Sequence, residues 1–261
     1  MGDNFIDYDR LRAFDAKAFE ATTPFPWHNM LGFLTPRAFQ ELFAAFPTLE
    51  LFERHDNLAR KHGQRPHNRY YLAYESSIYH RKDATGVVRQ AELPAAWQRF
   101  MDELRSSREY HDFIRRALGI PSFTLRCAWH VGSRGSEVSP HLDATKKLGT
   151  HILYFNTSAE WNADWGGETL VLGGRRTQAM NPDFGDFETR QAARIVDNHS
   201  FLFKNTPQAW HGVSALTCPA GSYRRLFNII FEVPANRGFI DRARKLLNAG
   251  RTRGSEARGG A

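Results

Sequence analysis

Phe123-Thr124-Leu125-Arg126-Cys127-Ala128-Trp129-His130, just after Pro121, alternates apolar and polar side chains in the two-residue period of a β-strand. Thr150-His151-Ile152-Leu153-Tyr154-Phe155 has the same texture, and Glu168-Thr169-Leu170-Val171-Leu172 follows the turn Gly166-Gly167. Ala193 to Lys204, Ala209 to Leu216 and Tyr223 to Val233 continue the run, punctuated by Gly, Pro, Asn and Asp. Short strands with no helices between them predict an antiparallel sandwich or barrel.

Upstream the period lengthens. Leu11, Phe14, Ala18 and Phe19 predict a helix from Tyr8 to Ala21. Thr35 reads as an N-cap with Pro36 in the first turn, and Phe39, Leu42, Phe43 and Phe46 form an apolar stripe that Pro47 ends. Residues 52–91 are polar and read as loops, with a short strand at Arg69-Tyr70-Tyr71-Leu72. Ala95 to Leu118 reads as helix broken near Ser106-Ser107. Helices first and strands after predict an α+β fold, mainly β at its core, with N-terminal helices packed on one sheet. A single domain is expected over 1–249: a helical part over about 1–120, a strand core over about 121–235 and a C-terminal helix over about 237–248. A disordered basic tail is expected at 250–261.

Composition excludes several classes. With 261 residues, 41% hydrophobic and 24% charged, the chain is an ordinary globular one that can bury a core. No apolar run approaches the ~18 residues of a membrane helix. Met1-Gly2-Asp3-Asn4-Phe5-Ile6 lacks a secretory apolar region, and Ile6 stands where myristoylation wants Ser or Thr. Two cysteines, Cys127 and Cys218, are too few for a disulfide framework, so a cytoplasmic location is expected. The net charge is 35 − 28 = +7. From residue 237 onward seven Lys and Arg against two acids give 7 − 2 = +5, leaving +2 for the first 236 residues. A nearly neutral body implies no nucleic-acid groove and no membrane partner.

Ser139-Pro140-His141-Leu142-Asp143 carries chemistry. On extended backbone His141 and Asp143 share a face, one imidazole and one carboxylate, which is two thirds of a facial metal triad with open positions. His211, in Ala209-Trp210-His211-Gly212-Val213, lies 211 − 143 = 68 positions further on and supplies the third ligand from another strand. The apolar strand Tyr223 to Phe231 opens with Arg224 and Arg225. A buried arginine calls for an anion, most naturally a ligand carboxylate held by its fork. Alternation puts Arg224, Leu226, Asn228 and Ile230 on one face, and Arg225, Phe227, Ile229 and Phe231 on the other. The first face can satisfy an anion with Arg224 and Asn228 together; a bulge at Ser222-Tyr223 would exchange the faces.

These residues resemble the Fe(II)/2-oxoglutarate-dependent oxygenases, and most closely their prolyl-4-hydroxylase-like branch. His141, Asp143, His211 and Arg224 match that family's motif in order and approximate spacing. Thr150 to Asn156 resembles the strand after the metal motif, whose tyrosine, Tyr154 here, often bonds the co-substrate's far carboxylate; Trp165-Gly166-Gly167-Glu168-Thr169 resembles the turn that follows. Phe25-Pro26-Trp27-His28 through Phe33-Leu34-Thr35-Pro36 resembles the entry into the family's first helix, and the match covers about residues 24–235. The resemblance implies a double-stranded β-helix, or jelly roll. It also implies Fe(II) held by His141, Asp143 and His211, 2-oxoglutarate and O2 as co-substrates, and ascorbate as a candidate reductant. The implied reaction hydroxylates an unactivated C–H bond of an amino-acid, peptidyl or small-molecule substrate and releases succinate and CO2. Asp143 argues against the halogenase variants, which lack that carboxylate.

One departure is Ala128-Trp129-His130, where the family often ends its strand with tyrosine. His130 and His151 are further pocket candidates, kept outside the ligand set. No His-Glu-x-x-His, Walker loop or Gly-x-Ser-x-Gly is present. The competing readings are a cupin-like metal enzyme that does not use 2-oxoglutarate, and a non-catalytic binding module with a relic site. The sequence leaves the substrate and the oligomeric state open.

Overall fold

A computed structural model describes residues 4–58, 65, 67–76 and 85–234. Among the described residues twelve strands follow one another as β1 (Trp27–Leu31), β2 (Glu53–Leu58), β3 (His67–Tyr74), β4 (Val87–Val88), β5 (Thr124–Gly132), β6 (Val138–His141), β7 (Lys147–Tyr154), β8 (Thr169–Arg175), β9 (Phe187–Ala193), β10 (His199–Lys204), β11 (His211–Val213) and β12 (Arg224–Glu232). The α-helices are α1 (Tyr8–Arg12), α2 (Ala16–Glu20), α3 (Pro36–Ala44), α4 (Ala95–Ser106) and α5 (Arg108–Leu118). The strands form two sheets. The larger runs β1-β10-β7-β12-β5-β3-β2, with β4 added in parallel beside β3, and the smaller runs β6-β11-β8-β9. Consecutive strands of the core alternate between the sheets, from β7 to β8 and from β10 to β11 to β12, which is the winding of a double-stranded β-helix.

Strand alternation divides the molecule into layers. On β12, Phe227, Ile229 and Phe231 face the helices, in a core shared with Leu42, Trp97, Phe100, Tyr110, Phe113 and Ile114. Each such fully buried large apolar side chain contributes roughly 1.5–3 kcal/mol. Ile152, Tyr154, Phe201, Phe203 and Leu226 face the other way and meet Val171, Ala193 and Val213 of the smaller sheet in a second core. The helices therefore cover one face of the larger sheet, and the space between the two sheets is left for a cavity.

Several local expectations change. The helix read over Tyr8–Ala21 is two helices, because the Asp15 carboxylate accepts from the backbone N–H of Lys17 and Ala18 and starts a second one. Residues 52–91 contain β2, β3 and β4; β3 bears out and lengthens the short strand expected at Arg69-Tyr70-Tyr71-Leu72, while β1, β2 and β4 add three strands to a part expected to be helices and loops. The polar residues Asn68 and Arg69 of β3 face a polar cavity instead of a core. The strand read over Ala193–Lys204 is interrupted: Asp197 and Asn198 take positive φ (56° and 62°) and turn the chain from β9 into β10. The break at Ser106-Ser107 is found, with Ser107 Oγ accepting from the Tyr110 N–H to cap α5. Thr35 caps α3 through the Ala38 N–H. The expected C-terminal helix and basic tail lie outside the described residues. Among the described residues no helix is long and apolar enough to cross a membrane.

Candidate metal and co-substrate site

A cavity of about 210 Å³ opens between the two sheets, and His141, Asp143, His211, Arg224 and Asn228 all line it. His141 ends β6 and His211 begins β11, where the two are register partners, so antiparallel pairing sets their rings side by side with centroids 4.3 Å apart. Asp143 lies two residues beyond His141, just past the strand, with Oδ1 at 3.9 Å from His141 Nε2. One ligand atom from each of the three lies within 4.8 Å of the other two.

The histidine tautomers follow from the backbone. His141 Nδ1 donates to Ser139 O at 3.0 Å and His211 Nδ1 to Ala209 O at 2.9 Å. A carbonyl only accepts, so Nδ1 carries the proton and the neutral ring presents its lone pair at Nε2, as a metal ligand must. Burial would raise the Asp143 carboxyl, but Lys147, joined by the two histidines when they are protonated, outweighs it and holds the group below the usual carboxylate range. Lys147 Nζ donates to Asp143 Oδ1 at 2.5 Å. Two neutral imidazoles and one carboxylate, buried and convergent, fit a divalent ion of the Fe(II) type.

The arginines divide as alternation requires. Arg224 is 7% exposed and in the cavity wall, with Nε donating to Gly167 O and Nη2 to Thr169 Oγ1 at 3.4 Å. Leu226, Asn228 and Ile230 follow it along the same wall. Arg225 points away, over the Phe43 ring and paired with Glu160. Two polar atoms buried in the wall, Asn228 Oδ1 and Thr150 Oγ1, have no hydrogen-bond partner among the described residues. Groups of that kind cost free energy unless a ligand or water meets them.

Tyr154 stands beside Arg224, its ring 5.4 Å from the guanidinium carbon, but its hydroxyl is hydrogen-bonded to Thr169 Oγ1 at 2.6 Å. Burial, opposed by Arg224 and Thr169, pushes this phenol up to about 12, so it stays protonated. His130 joins the cavity wall, with Nε2 3.2 Å from Asn228 Nδ2 and its ring edge-on to Tyr71. Burial and the cations Arg69, Arg224, Lys147 and Arg126 keep His130 neutral, well below the usual histidine range. His151 lies on the other face of β7, bonded to Ser200 Oγ at 3.0 Å and packed on Phe33, so it is a core histidine. Cys127 and Cys218 are free and buried, and burial pushes the Cys127 thiol up to about 12, as befits small apolar residues. Sequence reasoning missed Arg126, Lys147 and Arg69 in the wall. The alternation of Arg126 with Ala128 and His130 was the signal for the first of them.

No protein-family model matches the sequence, and no curated protein matches it. Solved structures do. A Pseudomonas putida prolyl-4-hydroxylase superposes with a TM-score of 0.51 at 16% identity, over 84% of this chain and 98% of that one. A Trichoplax adhaerens prolyl hydroxylase, in complex with a hypoxia inducible factor oxygen degradation domain peptide fragment, gives 0.52 at 12% identity, over 86% and 90%. A prolyl 4-hydroxylase from Phytophthora capsici gives 0.56 at 13% identity, over 88% and 67%. At these identities the likeness is one of fold, and the fold is the one the sequence resemblance implies.

Proposed function

We propose that this chain, folded as those hydroxylases are, is an Fe(II)- and 2-oxoglutarate-dependent dioxygenase acting on a small-molecule or peptide substrate. The observation that carries the reading is the conjunction in one cavity of a His-Asp-His cluster and a buried arginine on a strand of the facing sheet. Metal ligands alone would suit many enzymes. The guanidinium of Arg224 adds a reason for a carboxylate, because burying it in a sandwich is costly unless an anion is met there.

His141, Asp143 and His211 would hold Fe(II), and the bound ion supplies oxygen activation coupled to decarboxylation of the 2-oxo acid. The balance is R–H + O2 + 2-oxoglutarate → R–OH + succinate + CO2. The chain's own residues orient and exclude. Arg224 and Asn228 take the co-substrate's distal carboxylate, while Tyr154, through Thr169, fixes the wall beside Arg224. Three protein ligands leave coordination positions open for co-substrates. The apolar residues of the wall, Val138, Ile152, Phe203 and Val213, limit water around the metal.

The test is succinate release from 2-oxoglutarate by the Fe(II)-loaded protein in air with ascorbate, beside metal content after gel filtration. His141→Ala or His211→Ala is expected to lose both metal and succinate release. Retained iron with full turnover in either variant would remove the triad. Metal bound by the native protein without any succinate release would favour the cupin-like alternative.

A further inference from the structure

We infer that the primary substrate carries an oxyanion, a carboxylate or a phosphate monoester, that docks on Arg126 and Lys147 at the end of the cavity opposite Arg224. This rests on the oxygenase reading above. The cavity follows the inner face of β12, and register locates its two ends. Arg224 pairs with Gly132 of β5 at one end, whereas Ile230 pairs with Arg126 of β5 and Thr150 of β7 near the other. Lys147 opposes Glu232, the next inward position. Six residues of strand separate Arg224 from Ile230, roughly 20 Å at ~3.3 Å per residue. A five-carbon dicarboxylate has four C–C bonds of about 1.5 Å and spans no more than about 6 Å. The co-substrate is thus shorter than the strand from Arg224 to Ile230, and with its distal carboxylate on Arg224 its 2-oxo acid end reaches only as far as the metal.

The metal cluster lies between these ends and nearer the second. The His211 ring is 4.7 Å from Phe203, which pairs with Thr150, and Lys147 touches Asp143 itself. An anion held by Arg126 and Lys147 thus leaves the remainder of its molecule beside the metal. Both cations have donors to spare. Arg126 spends Nε and Nη2 on a single oxygen, Glu232 Oε1, at 3.0 and 2.9 Å, which leaves Nη1 over among the described residues. Lys147, with its side chain 20% exposed, uses one of three ammonium protons on Asp143.

Charge balance points the same way. In the wall Arg126, Lys147 and Arg224 stand against Glu137 and Asp143, so 3 − 2 leaves one positive charge. Adding the nearest partners outside it, Arg65 for Glu137 and Glu232 for Arg126, leaves that excess unchanged. A divalent metal and a dicarboxylate cancel each other, so the loaded site keeps it. A partly enclosed site of that sign attracts anions and rejects ammonium groups.

The experiment is calorimetric titration of the protein loaded with Mn(II) and 2-oxoglutarate. The probes are butyrate, hexanoate, benzoate, phenylacetate and N-acetylated amino acids, each beside its primary amide, with methyl and phenyl phosphate beside their alcohols. At least one oxyanion is expected to bind tenfold or more tightly than its neutral counterpart, and the arm in which it falls names the group. Arg126→Gln/Glu232→Gln removes the ion pair without leaving either charge buried alone. It is expected to weaken the oxyanion tenfold or more, with less than twofold change in 2-oxoglutarate affinity. Arg126→Lys is expected to recover part of the loss. Equal response from charged and neutral probes, including none from either, overturns the inference, as does undiminished oxyanion binding in the double variant. Failure of Mn(II) or 2-oxoglutarate to load is a different failure, of the oxygenase reading itself, and is seen before any probe is added.

Discussion

Arg224 lies in the cavity wall beside Gly167 and Thr169, whereas Arg225, one residue on, lies against Phe43 and Glu160 on the helix side of the same strand. The two arginines therefore lie on opposite faces of the sheet, and the proposed co-substrate role falls to Arg224 alone. Arg224→Ala is expected to raise the Kd for 2-oxoglutarate tenfold or more, since a charged hydrogen bond contributes about 1.5–3 kcal/mol. Arg225→Ala is expected to move it less than twofold, because a partly solvated ion pair acts locally. Titration of 2-oxoglutarate against both variants decides, and the reverse order would mean the wrong arginine has been assigned. A second residue governs pH dependence. Burial, with a smaller contribution from His28, brings His151 down to about 3. The same ring titrates near 6.5 in an unfolded chain. Between those values the unfolded chain binds the proton and the folded one does not. Stability is thus undiminished above about 6.5 and falls as the pH drops toward 3, by up to ~1.4 kcal/mol per unit from this one group. Urea midpoints at pH 7 and pH 5 should differ less in His151→Gln than in the native protein; equal slopes would exonerate His151.

At the scale of an element, the turn before β8 links chain geometry to the site. Gly166 and Gly167 both have positive φ, 75° and 98°. A Cβ on Gly166 would meet nothing within 4 Å, whereas one on Gly167 would lie 3.0 Å from Arg224 Cδ. Alanine at either position costs backbone strain of about 1–3 kcal/mol. Gly167→Ala is expected in addition to displace Arg224 and weaken 2-oxoglutarate binding severalfold, while Gly166→Ala lowers Tm alone. Equal co-substrate affinity in the two variants would show that the turn does not position Arg224. α3 tests sequence-level reasoning more simply. Thr35→Ala removes the bond to the Ala38 N–H and is expected to cost about 1 kcal/mol in chemical denaturation, with no change in ligand binding.

The whole molecule is held by the core that the helices share with the larger sheet. Trp97 of α4 is fully buried and meets Trp129 of β5 edge-on at 5.0 Å, with Phe155 of the chain just after β7 and Phe227 of β12 around it. Helices and sheet should therefore unfold together, so far-ultraviolet circular dichroism and tryptophan fluorescence are expected to give one coincident transition. Two separated transitions would contradict the single domain proposed for residues 1–249. Trp97→Ala should cost about 3–5 kcal/mol by these probes, although Trp97 is no part of the cavity wall.

Much of this was legible in the chain because it depends on local periods. Alternation over 123–130, 150–155 and 223–233 located β5, β7 and β12, and it also told Arg224 from Arg225, since successive side chains of a strand must face opposite ways. The cap at Thr35 could be read from residue type because its partner lies three residues away. The polar strand β2 escaped that reading, and β3 was legible only at Arg69-Tyr70-Tyr71-Leu72: β2 pairs with β3 at the edge of the sheet, where its polar sequence shows no apolar stripe. His141 and Asp143 declared themselves by an i, i+2 spacing, whereas it is the pairing of β6 with β11 that brings His211, 70 positions from His141, ring to ring with it. The cationic end of the cavity belongs to tertiary structure. Arg126 and Lys147 stand 21 positions apart on strands that never pair, and only the intervening β12 makes them neighbours. Alternation can put Arg126 on the inner face of its strand, but that it meets Lys147 there comes from the sheet order, which is settled by the packing of both faces at once.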